Sequence, residues 1–428
     1  MLFKASNIKD IDMKCRISNK AINKIISYGT MPIANGFLNA EEFSKEYFFE
    51  LAVAFCPTSK MFRLIEQPDP KMMFHENYAF FSSTSKKMAE HFEKMANNYL
   101  TNFLPDPKEA FVVELGSNDG IMLRHFSKAG INHLGIEPSA NVAEVARQNG
   151  VNTISEFFGE ETARKVEVEY GKADIISAAN VMCHIPDLNS VGKGVDLLLK
   201  NTGIFVFEDP YLGDVIQKTS YDQIYDEHVY VFSVQSVSNA FSPYGLEVFH
   251  VESQTTHGGS MRYYLCRKGA HAIKESVSNQ LKIEDSLRLD KIETYEQFAR
   301  NCEQNKNDFV KLLKQLKADG KRVVGYAATS KSTTVLNYCD IGPDLIEYIC
   351  DTTPIKQGKF SPGMHIPIKS YEDFKNDRPD YAVLFAWNHA QEIFEKEKAF
   401  IDQGGKWIVF VPEVKVLSSQ ESLIQNVA

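Results

Sequence analysis

Hydrophobic and polar positions along this chain of 428 residues alternate between short apolar runs, typical of strands, and longer stretches with helical spacing. In the middle of the chain the predicted strands are residues 111–115, 132–137, 173–178 and 203–208, and the helical stretches between them are 140–149 and 191–200. This alternation of strand and helix predicts an α/β fold, with a parallel sheet covered by helices on both faces.

The same pattern starts again near the C-terminus, where residues 321–331 read as a strand, a turn and the start of a helix. Further predicted strands cover 345–351, 381–385 and 407–411. Residues 273–317 are charged and rich in helix-forming side chains, which indicates a helical hairpin between two Rossmann-like units.

The N-terminal part of the chain has short β-like runs broken by glycine and proline, followed by helical spacing over residues 77–103. We therefore divide the chain into a small irregular N-terminal domain, a central α/β domain, a helical linker and a C-terminal Rossmann-like domain. The predicted boundaries are 1–75, 76–268, 269–320 and 321–428.

Charge and composition narrow the classes of partner. The chain carries 47 basic against 56 acidic residues, a net charge of −9, so we expect neither nucleic acid nor a membrane as a partner.

No apolar run reaches the roughly 18 residues of a membrane span, and charges are scattered through the first thirty residues, unlike a signal peptide. Seven dispersed cysteines do not indicate a disulfide framework. We expect a cytoplasmic protein.

The most informative motif is the glycine turn in residues 112–120 (VVELGSNDG), together with Glu137 at the end of the next strand. The glycines allow a tight turn and close approach of a ligand to the helix that follows, and Glu137 is placed to accept the hydroxyls of an adenosine ribose. Asn118 and Asp119 replace the middle glycine of the dinucleotide fingerprint, and a carboxylate there suits the cationic groups of S-adenosylmethionine. The alternative to a cofactor site is a tight turn that only connects a strand to a helix. The candidate cofactor residues are Glu114, Gly116, Ser117, Asn118, Asp119, Gly120, Glu137, Pro138 and Asn180.

Side chains suited to acid–base chemistry lie between the two α/β units. Tyr225 and His228 are three positions apart, which places a phenol and an imidazole on one face of a helical turn. His184 follows the strand 173–178, at the sheet edge where ligands bind in doubly wound folds. A lone histidine is more often a hydrogen-bonded structural residue, but His257 adds a third at a predicted strand end.

Two further features suit a polar substrate. A glycine pair bordered by polar groups precedes the predicted strand 263–266, and Lys331 lies at a helix start, where an ammonium and the helix N-terminus both favour a phosphate. A solvated surface lysine is the alternative for Lys331. The candidate substrate-binding residues are His257, Gly258, Gly259, Ser260, Arg262 and Lys331.

Together these motifs resemble those of the sugar C-methyltransferases that act on nucleotide-linked 4-keto-6-deoxy sugars. The resemblance extends over nearly the whole chain, through residues 32–38, 78–85, 114–120, 180–187, 225–233, 256–262, 325–339 and 356–367. It implies an N-terminal zinc-binding module, a central class I methyltransferase domain that binds S-adenosylmethionine, and a C-terminal Rossmann-like domain that helps to hold the nucleotide.

The resemblance also implies roles for individual residues. His228 would remove the proton from the carbon next to the ketone, while Tyr225, Glu227, His184 and Tyr78 line the sugar pocket. The α-proton of a ketone is acidic only where the enolate oxygen is stabilised, so the site needs a base and a donor, for which Tyr225 or His184 is suited. The expected partner is a dTDP- or GDP-linked 4-ketosugar, methylated at C3 in preference to C5, and we expect a monomer.

The sequence departs from the family in its zinc module. Two Cys-x-x-Cys pairs are usual there, whereas this chain has Cys15 with Ser18 and Cys56 with Ser59. Since neutral serine is a poor zinc ligand, we predict that the module binds no metal and is held by packing or hydrogen bonds among the four side chains. A second departure is Ala327, which replaces the glycine that is usual in the second nucleotide turn.

Two alternatives remain open. The C-terminal unit, with Asp351 at a strand end, could bind a nicotinamide and make the chain an NAD(P)-dependent sugar ketoreductase or a methyltransferase–reductase fusion, although both turns lack the glycine fingerprint. The eroded zinc module could instead mark a non-catalytic relative that binds a nucleotide-sugar. Retention of Glu114, Glu137 and His228 argues against loss of the chemical centre.

Overall fold

The chain forms three sheets with helices packed around them. The computed structural model describes residues 14–73, 82–84, 86–104 and 106–418. The strands are β1 Asn23–Pro32, β2 Phe48–Cys56, β3 Met61–Leu64, β4 Phe111–Leu115, β5 Asn132–Ile136, β6 Thr153–Ile154, β7 Ala173–Ala179, β8 Leu199–Pro210, β9 Tyr230–Val231, β10 Leu246–Gln254, β11 Ser260–Arg267, β12 Val323–Tyr326, β13 Ile349–Cys350, β14 Ile368–Lys369, β15 Tyr381–Leu384, β16 Lys406–Val409 and β17 Lys415–Leu417. The helices are α1 Lys86–Asn102, α2 Leu123–Lys128, α3 Ala140–Gln148, α4 Glu160–Tyr170, α5 Leu188–Leu198, α6 Leu212–Lys218, α7 Val234–Phe241, α8 Glu275–Ser286, α9 Ile292–Ala318, α10 Ser330–Tyr338, α11 Tyr371–Asp377, α12 Ala390–Lys396 and α13 Lys398–Asp402.

The N-terminal region is a four-stranded antiparallel sheet in the order β1-β2-β3-β9. The sequence predicts β-like runs in an irregular domain, and the structure pairs those runs into strands of up to ten residues. The fourth strand, β9, belongs to the central part of the chain and pairs Tyr230 with Arg63. Because β9 begins two residues after His228, the N-terminal sheet is tied directly to the candidate catalytic segment.

The central sheet has seven strands in the order β10-β11-β8-β7-β4-β5-β6. Strands β8, β7, β4, β5 and β6 are parallel, and β11 is antiparallel to both of its neighbours. Both faces are buried, since Val112 and Val113 pack into separate hydrophobic clusters on opposite sides of β4. The direction in which strands are added reverses between β4 and β7, which opens a crevice at their carboxyl ends. The predicted α/β fold is confirmed.

The C-terminal sheet repeats this design with six strands in the order β14-β13-β12-β15-β16-β17. The first five are parallel and β17 is antiparallel to β16. Here the order reverses between β12 and β15, so a second crevice lies above the start of α10. Thr329 caps α10 by accepting a hydrogen bond from the backbone N–H of Ser332.

The segment predicted as a helical hairpin forms two helices, α8 and α9, and α9 is a central packing element. Its Tyr295 stacks on Phe55 of β2, with ring centroids 4.1 Å apart, and its Phe309 stacks on Phe410 after β16 at 5.7 Å. The N-terminal and C-terminal sheets therefore share one hydrophobic core with α9. The domain boundaries themselves stay a prediction. No helix in the described part of the chain is both long and apolar enough to cross a bilayer.

Candidate active site

The glycine turn lies at the carboxyl end of β4, beside the crevice of the central sheet. Gly116 and Gly120 have φ values of +61° and +78°, and a Cβ at either position would collide with Val181 or Val151 respectively. Asn118 also has a positive φ, +49°. The turn thus needs glycine at both places that the sequence indicates.

Glu137 holds this turn in place from the neighbouring strand end. Its Oε2 accepts the backbone N–H of Asn118 at 3.0 Å and its Oε1 accepts that of Ser139 at 2.8 Å. Each carboxylate oxygen retains a lone pair, so the predicted contact with ribose hydroxyls is compatible with both bonds. Burial raises the pKa of Glu137. Pro138 lies between Glu137 and the start of α3.

Acidic groups dominate the remainder of this crevice. Glu114 is buried on β4, and its pKa is raised well above the usual range by burial and by the charges of Glu137 and Asp119. One buried oxygen of Glu114 and one of Asp119 have no hydrogen-bond partner among the described residues. Buried acceptors that lack a donor suit a cationic ligand with N–H groups. The residues present therefore fit the ammonium and sulfonium of S-adenosylmethionine.

The turn also contacts the segment before α1. Asn118 accepts the backbone N–H of Ser82 at 3.0 Å, and Asp119 accepts both the backbone N–H and the hydroxyl of Ser83. The buried Ser117 hydroxyl has no partner among the described residues. Asn180, beyond β7, has a φ of +54° and donates its backbone N–H to Glu208 O at 2.7 Å. These side chains border the same crevice.

The histidine predicted as the base has a defined tautomer. Its Nδ1 lies 2.6 Å from the carbonyl oxygen of Gln223, which can only accept, so Nδ1 carries the proton. The Nε2 of His228 therefore carries the lone pair in the neutral ring and accepts from the hydroxyl of Tyr225 at 2.7 Å. Burial lowers the pKa of His228 well below its usual range, and the neighbouring His184 lowers it further. The predicted phenol and imidazole are thus in direct contact.

His184 comes from the short turn after β7 and lies against His228. The two rings are stacked, with centroids 5.4 Å apart and an interplanar angle of 17°. Burial lowers the pKa of His184 to about 4. Both imidazoles are therefore neutral at pH 7, as a base and a hydrogen-bond donor require. The predicted third histidine, His257, also influences the charge of His228.

The N-terminal region braces the turn that contains Glu227. Asn35 donates its amide to Glu227 Oε1 at 2.8 Å, and the backbone N–H of Ala34 donates to Asp226 at 3.0 Å. The carbonyl oxygen of Ala34 accepts from Thr333 of α10 at 2.8 Å. Three parts of the chain therefore meet at this turn. Burial raises the pKa of Glu227.

The glycine pair lies between α6 and the C-terminal domain. Gly258 and Gly259 have φ values of +89° and +133°, and Cβ atoms there would collide with Trp387 and approach Asp214 within 2.5 Å, respectively. The carbonyl oxygen of His257 accepts from both the Gln223 amide and Lys331. The turn is thus held from both sides of the cleft.

The predicted phosphate-binding lysine is buried. Lys331 Nζ lies 3.3 Å from the His257 carbonyl oxygen and 3.3 Å from Asn388 Oδ1, and burial lowers its pKa to about 8. Asp222 is the nearby carboxylate that favours its charged form. The interpretation of Lys331 as a solvated surface lysine is therefore wrong. A second lysine, the half-buried Lys356, donates to Ala328 O at 2.7 Å.

Arg262 is engaged in a buried ion-pair network. Its guanidinium donates twice to Glu208, at 3.0 and 2.8 Å, and once to Glu252 at 3.4 Å. His91 of α1 contacts the same Glu208. Since several of its donors are already used, Arg262 is suited to holding β11 against β8 and α1. The neighbouring Ser260 donates to the backbone within its own turn. Direct substrate binding by either residue stays a prediction.

The four side chains of the N-terminal module meet as the sequence predicts. Cys15 Sγ lies 3.1 Å from Ser59 Oγ, and Cys56 Sγ lies 3.3 Å from Ser18 Oγ. Hydrogen bonds connect them, and the hydrogen bond with Cys15 lowers the pKa of Cys56. Two thiols and two hydroxyls are a poor donor set for zinc, so these residues do not fit a structural zinc ion. The absence of metal stays a prediction.

Several residues of the site were missed by sequence reasoning. Asn35 lies in a motif that the family resemblance includes, but nothing in the sequence pairs it with Glu227. Gln223 contributes through its backbone carbonyl, for which a sequence carries no signal. Asp222 accepts from Trp387 Nε1 at 2.6 Å, across 165 positions of the chain, a pairing for which the sequence carries no signal. Tyr78 lies outside the described residues, so its predicted place in the sugar pocket stays a prediction.

Comparisons with known proteins match three successive parts of the chain. Family models match residues 15–74 ("Putative zinc binding domain"), 88–251 ("Methyltransferase domain") and 255–412 ("C-methyltransferase C-terminal domain"). C-methyltransferase NovU of Streptomyces niveus is 34% identical over 402 residues, which covers 93% of this chain and 95% of the relative. The chain belongs to the C-methyltransferase family.

This C-methyltransferase is similar over shorter spans to other methyltransferases. A ubiquinone biosynthesis O-methyltransferase of Actinobacillus pleuropneumoniae serotype 7 (strain AP76) is 29% identical over 106 residues, 22% of this chain and 44% of the relative. Two solved structures are similar to part of it. The magnesium protoporphyrin IX methyltransferase (ChlM) from Synechocystis PCC 6803 with bound SAM is 11% identical, with a TM-score of 0.32, covering 46% of this chain and 88% of that chain. An S-adenosylmethionine-dependent methyltransferase from Clostridium acetobutylicum ATCC 824 is 11% identical, with a TM-score of 0.31. The similarity covers 42% of this chain and 91% of that chain.

Family membership confirms the predicted enzyme class, a methyltransferase with S-adenosylmethionine as its cofactor. The part of the chain considered above for a nicotinamide site matches the C-terminal domain of C-methyltransferases. In the structure, both oxygens of Asp351 accept backbone N–H groups, from Ala328 and Thr353. This carboxylate therefore stabilises its own turn, as Glu137 does in the central domain.

Proposed function

We propose that this C-methyltransferase transfers a methyl group to the carbon next to the ketone of a nucleotide-diphosphate-linked 4-keto-deoxyhexose, with C3 preferred over C5. The observation that supports this most directly is the hydrogen bonding of His228, whose Nδ1 donates to Gln223 O while Nε2 accepts from Tyr225. Removing a proton next to a ketone needs one base and one donor to the enolate oxygen, and these two side chains supply both.

The proton moves from the sugar carbon to His228 Nε2. The substrate replaces the contact between Tyr225 and His228, which exposes the lone pair of the base and turns the hydroxyl of Tyr225 towards the ketone oxygen. The lowered pKa of His228 makes it a weak base in the free enzyme. Negative charge on the adjacent enolate then stabilises the imidazolium as it forms. His184, neutral and stacked on His228, is a second donor for the enolate oxygen.

The methyl donor is held at the carboxyl end of β4. S-adenosylmethionine supplies an electrophilic methyl group for the enolate carbon. Glu137 binds the ribose hydroxyls, Glu114 and Asp119 face the cationic end, and the turn through Gly116 and Gly120 lets the ligand approach the backbone closely. This arrangement excludes bulk water because the acidic groups are buried.

The nucleotide part of the substrate lies in the cleft towards the C-terminal domain. Lys331 and the half-buried Lys356 supply basic groups to this cleft beside the turn at His257, which favours a diphosphate. Either a dTDP- or a GDP-linked sugar has that diphosphate. We further propose that the enzyme acts as a monomer in the cytoplasm, where both small-molecule substrates are made.

The experiment is to incubate the purified full-length protein with S-adenosylmethionine and dTDP-4-keto-6-deoxyglucose, and to examine the sugar by mass spectrometry and NMR. The proposal expects one added methyl group, attached to carbon at C3. A parallel incubation with the GDP-linked 4-ketosugar tests the nucleotide. Binding of both ligands without methyl transfer to either sugar would contradict the proposal and indicate a binding-only relative.

A further inference from the structure

A cysteine and two histidines converge at the candidate active site. Cys183 and His184 are adjacent in the turn after β7, and His228 approaches them from the segment before β9. The sulfur of Cys183 and one nitrogen of each imidazole all lie within 4.8 Å of one another. Cys183 and His228 are buried. The proposed methyl transfer uses the two histidines and leaves Cys183 without a role.

The hydrogen bonding of His228 is the kind found around metal-bound histidines. A metal-ligating imidazole commonly donates its second N–H to a backbone carbonyl, which fixes the tautomer and orients the ring. His228 has this bond, since its Nδ1 donates to Gln223 O at 2.6 Å. The lone pair of Nε2 lies on the side of the ring away from Gln223, where it accepts from the hydroxyl of Tyr225, and a bound metal would displace that hydroxyl.

Two carboxyl groups lie near Cys183. They are Asp209 and Glu227, and Asp209 also accepts the backbone N–H of Cys183 at 3.2 Å. Their oxygen atoms are groups with which a bound dication interacts favourably. Lys331 opposes this effect at His228 from the far side of the cleft.

The donor set selects the class of metal. One thiolate and two imidazoles match zinc-type ions, whereas magnesium and calcium prefer oxygen ligands. Zinc bonds are about 2.0–2.1 Å to nitrogen and about 2.3 Å to sulfur, so the three side chains would close in by roughly an ångström. The S–H proton of Cys183 is released to solvent as the metal–sulfur bond forms.

We propose that Cys183, His184 and His228 form a binding site for one thiophilic divalent cation of the zinc type. The fourth coordination position faces the crevice and takes water. Bound metal occupies the lone pair of His228 Nε2, so it blocks the base. This inhibitory consequence rests on the proposed function, whereas the metal site itself does not.

The test must separate this site from the N-terminal module, which also contains two cysteines. Full-length protein stripped with a chelator is titrated with Co²⁺, whose thiolate complexes give a charge-transfer absorption. Three proteins are compared: the unmodified enzyme, Cys183→Ser, and the double variant Cys15→Ser/Cys56→Ser. We expect the band at one equivalent in the first and third proteins and no band in Cys183→Ser.

A second variant guards against misfolding of Cys183→Ser. His184→Asn keeps the thiolate, so the band remains, and we expect the affinity for Co²⁺ to fall by about tenfold or more. Absence of a band in the unmodified enzyme would overturn the proposal. So would a band that survives in Cys183→Ser and disappears in the Cys15/Cys56 double variant, because the metal would then bind the N-terminal module.

The inhibitory consequence has its own readout. Zn²⁺ should stop methyl transfer in the unmodified enzyme, and a chelator should restore it. The Zn²⁺ concentration that halves the rate should be at least about tenfold higher for Cys183→Ser than for the unmodified enzyme, where each rate is compared with that of the same protein without metal. Unchanged sensitivity in Cys183→Ser would contradict inhibition through this site. If no ketosugar is methylated at all, the proposed function fails, but the cobalt band still decides whether the metal site exists.

Discussion

The side-chain amide of Asn35 donates a hydrogen bond to the carboxylate of Glu227 at 2.8 Å, across 192 positions of the chain. Beside it, the backbone of Ala34 contacts both Asp226 and Thr333. The N-terminal region is therefore in direct contact with the turn that carries Glu227 and His228. These contacts give a physical reason for the presence of the N-terminal region in a chain where serines replace two of the four usual zinc ligands.

Asn35→Ala should lower kcat by about tenfold, because Glu227 loses its donor in a buried place and the turn that carries His228 loosens. Steady-state kinetics with the methylated ketosugar give the measurement. Asn307→Ala, on an exposed position of α9, is the matched control and should leave kcat unchanged. Equal activity of the two variants would show that the N-terminal region does not order the turn.

Glu114→Gln should weaken binding of S-adenosylmethionine by about tenfold or more, because a bound cation favours the ionised form of Glu114 and an amide cannot ionise. Isothermal titration calorimetry measures the dissociation constant directly. The control is Glu144→Gln, at an exposed position of α3. It also replaces one carboxyl group by an amide, but it lies outside the crevice. If both substitutions have the same small effect, Glu114 does not contact the donor.

The pH dependence of kcat/KM should reflect Lys331. Burial lowers the pKa of its ammonium to about 8, although the nearby Asp222 favours the charged form. The imidazoles that face Lys331 are those of His257 and His389. The group is charged below that pKa and neutral above it, so binding of a diphosphate weakens as the pH rises through about 8. Since kcat/KM reports the free enzyme, it should fall there.

Lys331→Arg provides the comparison, because arginine keeps its charge over the whole range. In that variant the decrease of kcat/KM near pH 8 should disappear, although the absolute value can differ from that of the unmodified enzyme. A profile that falls identically in both proteins would assign the titration to another group and remove the support for a phosphate contact at Lys331.

Restoring the two missing cysteines should create a zinc site in the N-terminal module. Ser18 and Ser59 already lie within 3.3 Å of a cysteine sulfur, so Ser18→Cys with Ser59→Cys supplies four thiolates at one point. The double variant, made in a Cys183→Ser background, should purify with one zinc per chain by elemental analysis. The parent with Ser18 and Ser59 should contain none. Equal metal content in the two proteins would contradict the prediction.

Much of the central fold could be predicted because its signals are local. The strand at residues 111–115, the turn glycines and the acid at 137 follow from apolar runs and backbone geometry. Strand β8 begins at Leu199, where helical spacing was predicted to continue, because pairing with β7 outweighs the local preference. The short β9 was not predicted, since two residues carry no periodicity of their own.

The site was harder to predict because it depends on which buried polar groups meet. The sequence places Tyr225 and His228 on one face, and the structure brings them into contact. It gives no signal that Gln223 O would orient the imidazole, or that Arg262 would be bound by Glu208. Such pairings are decided by tertiary packing, where each buried donor must find an acceptor.

The most direct test of the central claim is exchange of the sugar proton with solvent. The dTDP-linked 4-ketosugar is incubated with enzyme in deuterated buffer, without methyl transfer, and deuterium at the carbon next to the ketone is followed by NMR. We predict rapid exchange at C3 with the unmodified enzyme and a loss of about a hundredfold or more in His228→Asn, which still binds the sugar. Exchange at the unmodified rate in His228→Asn would contradict the account.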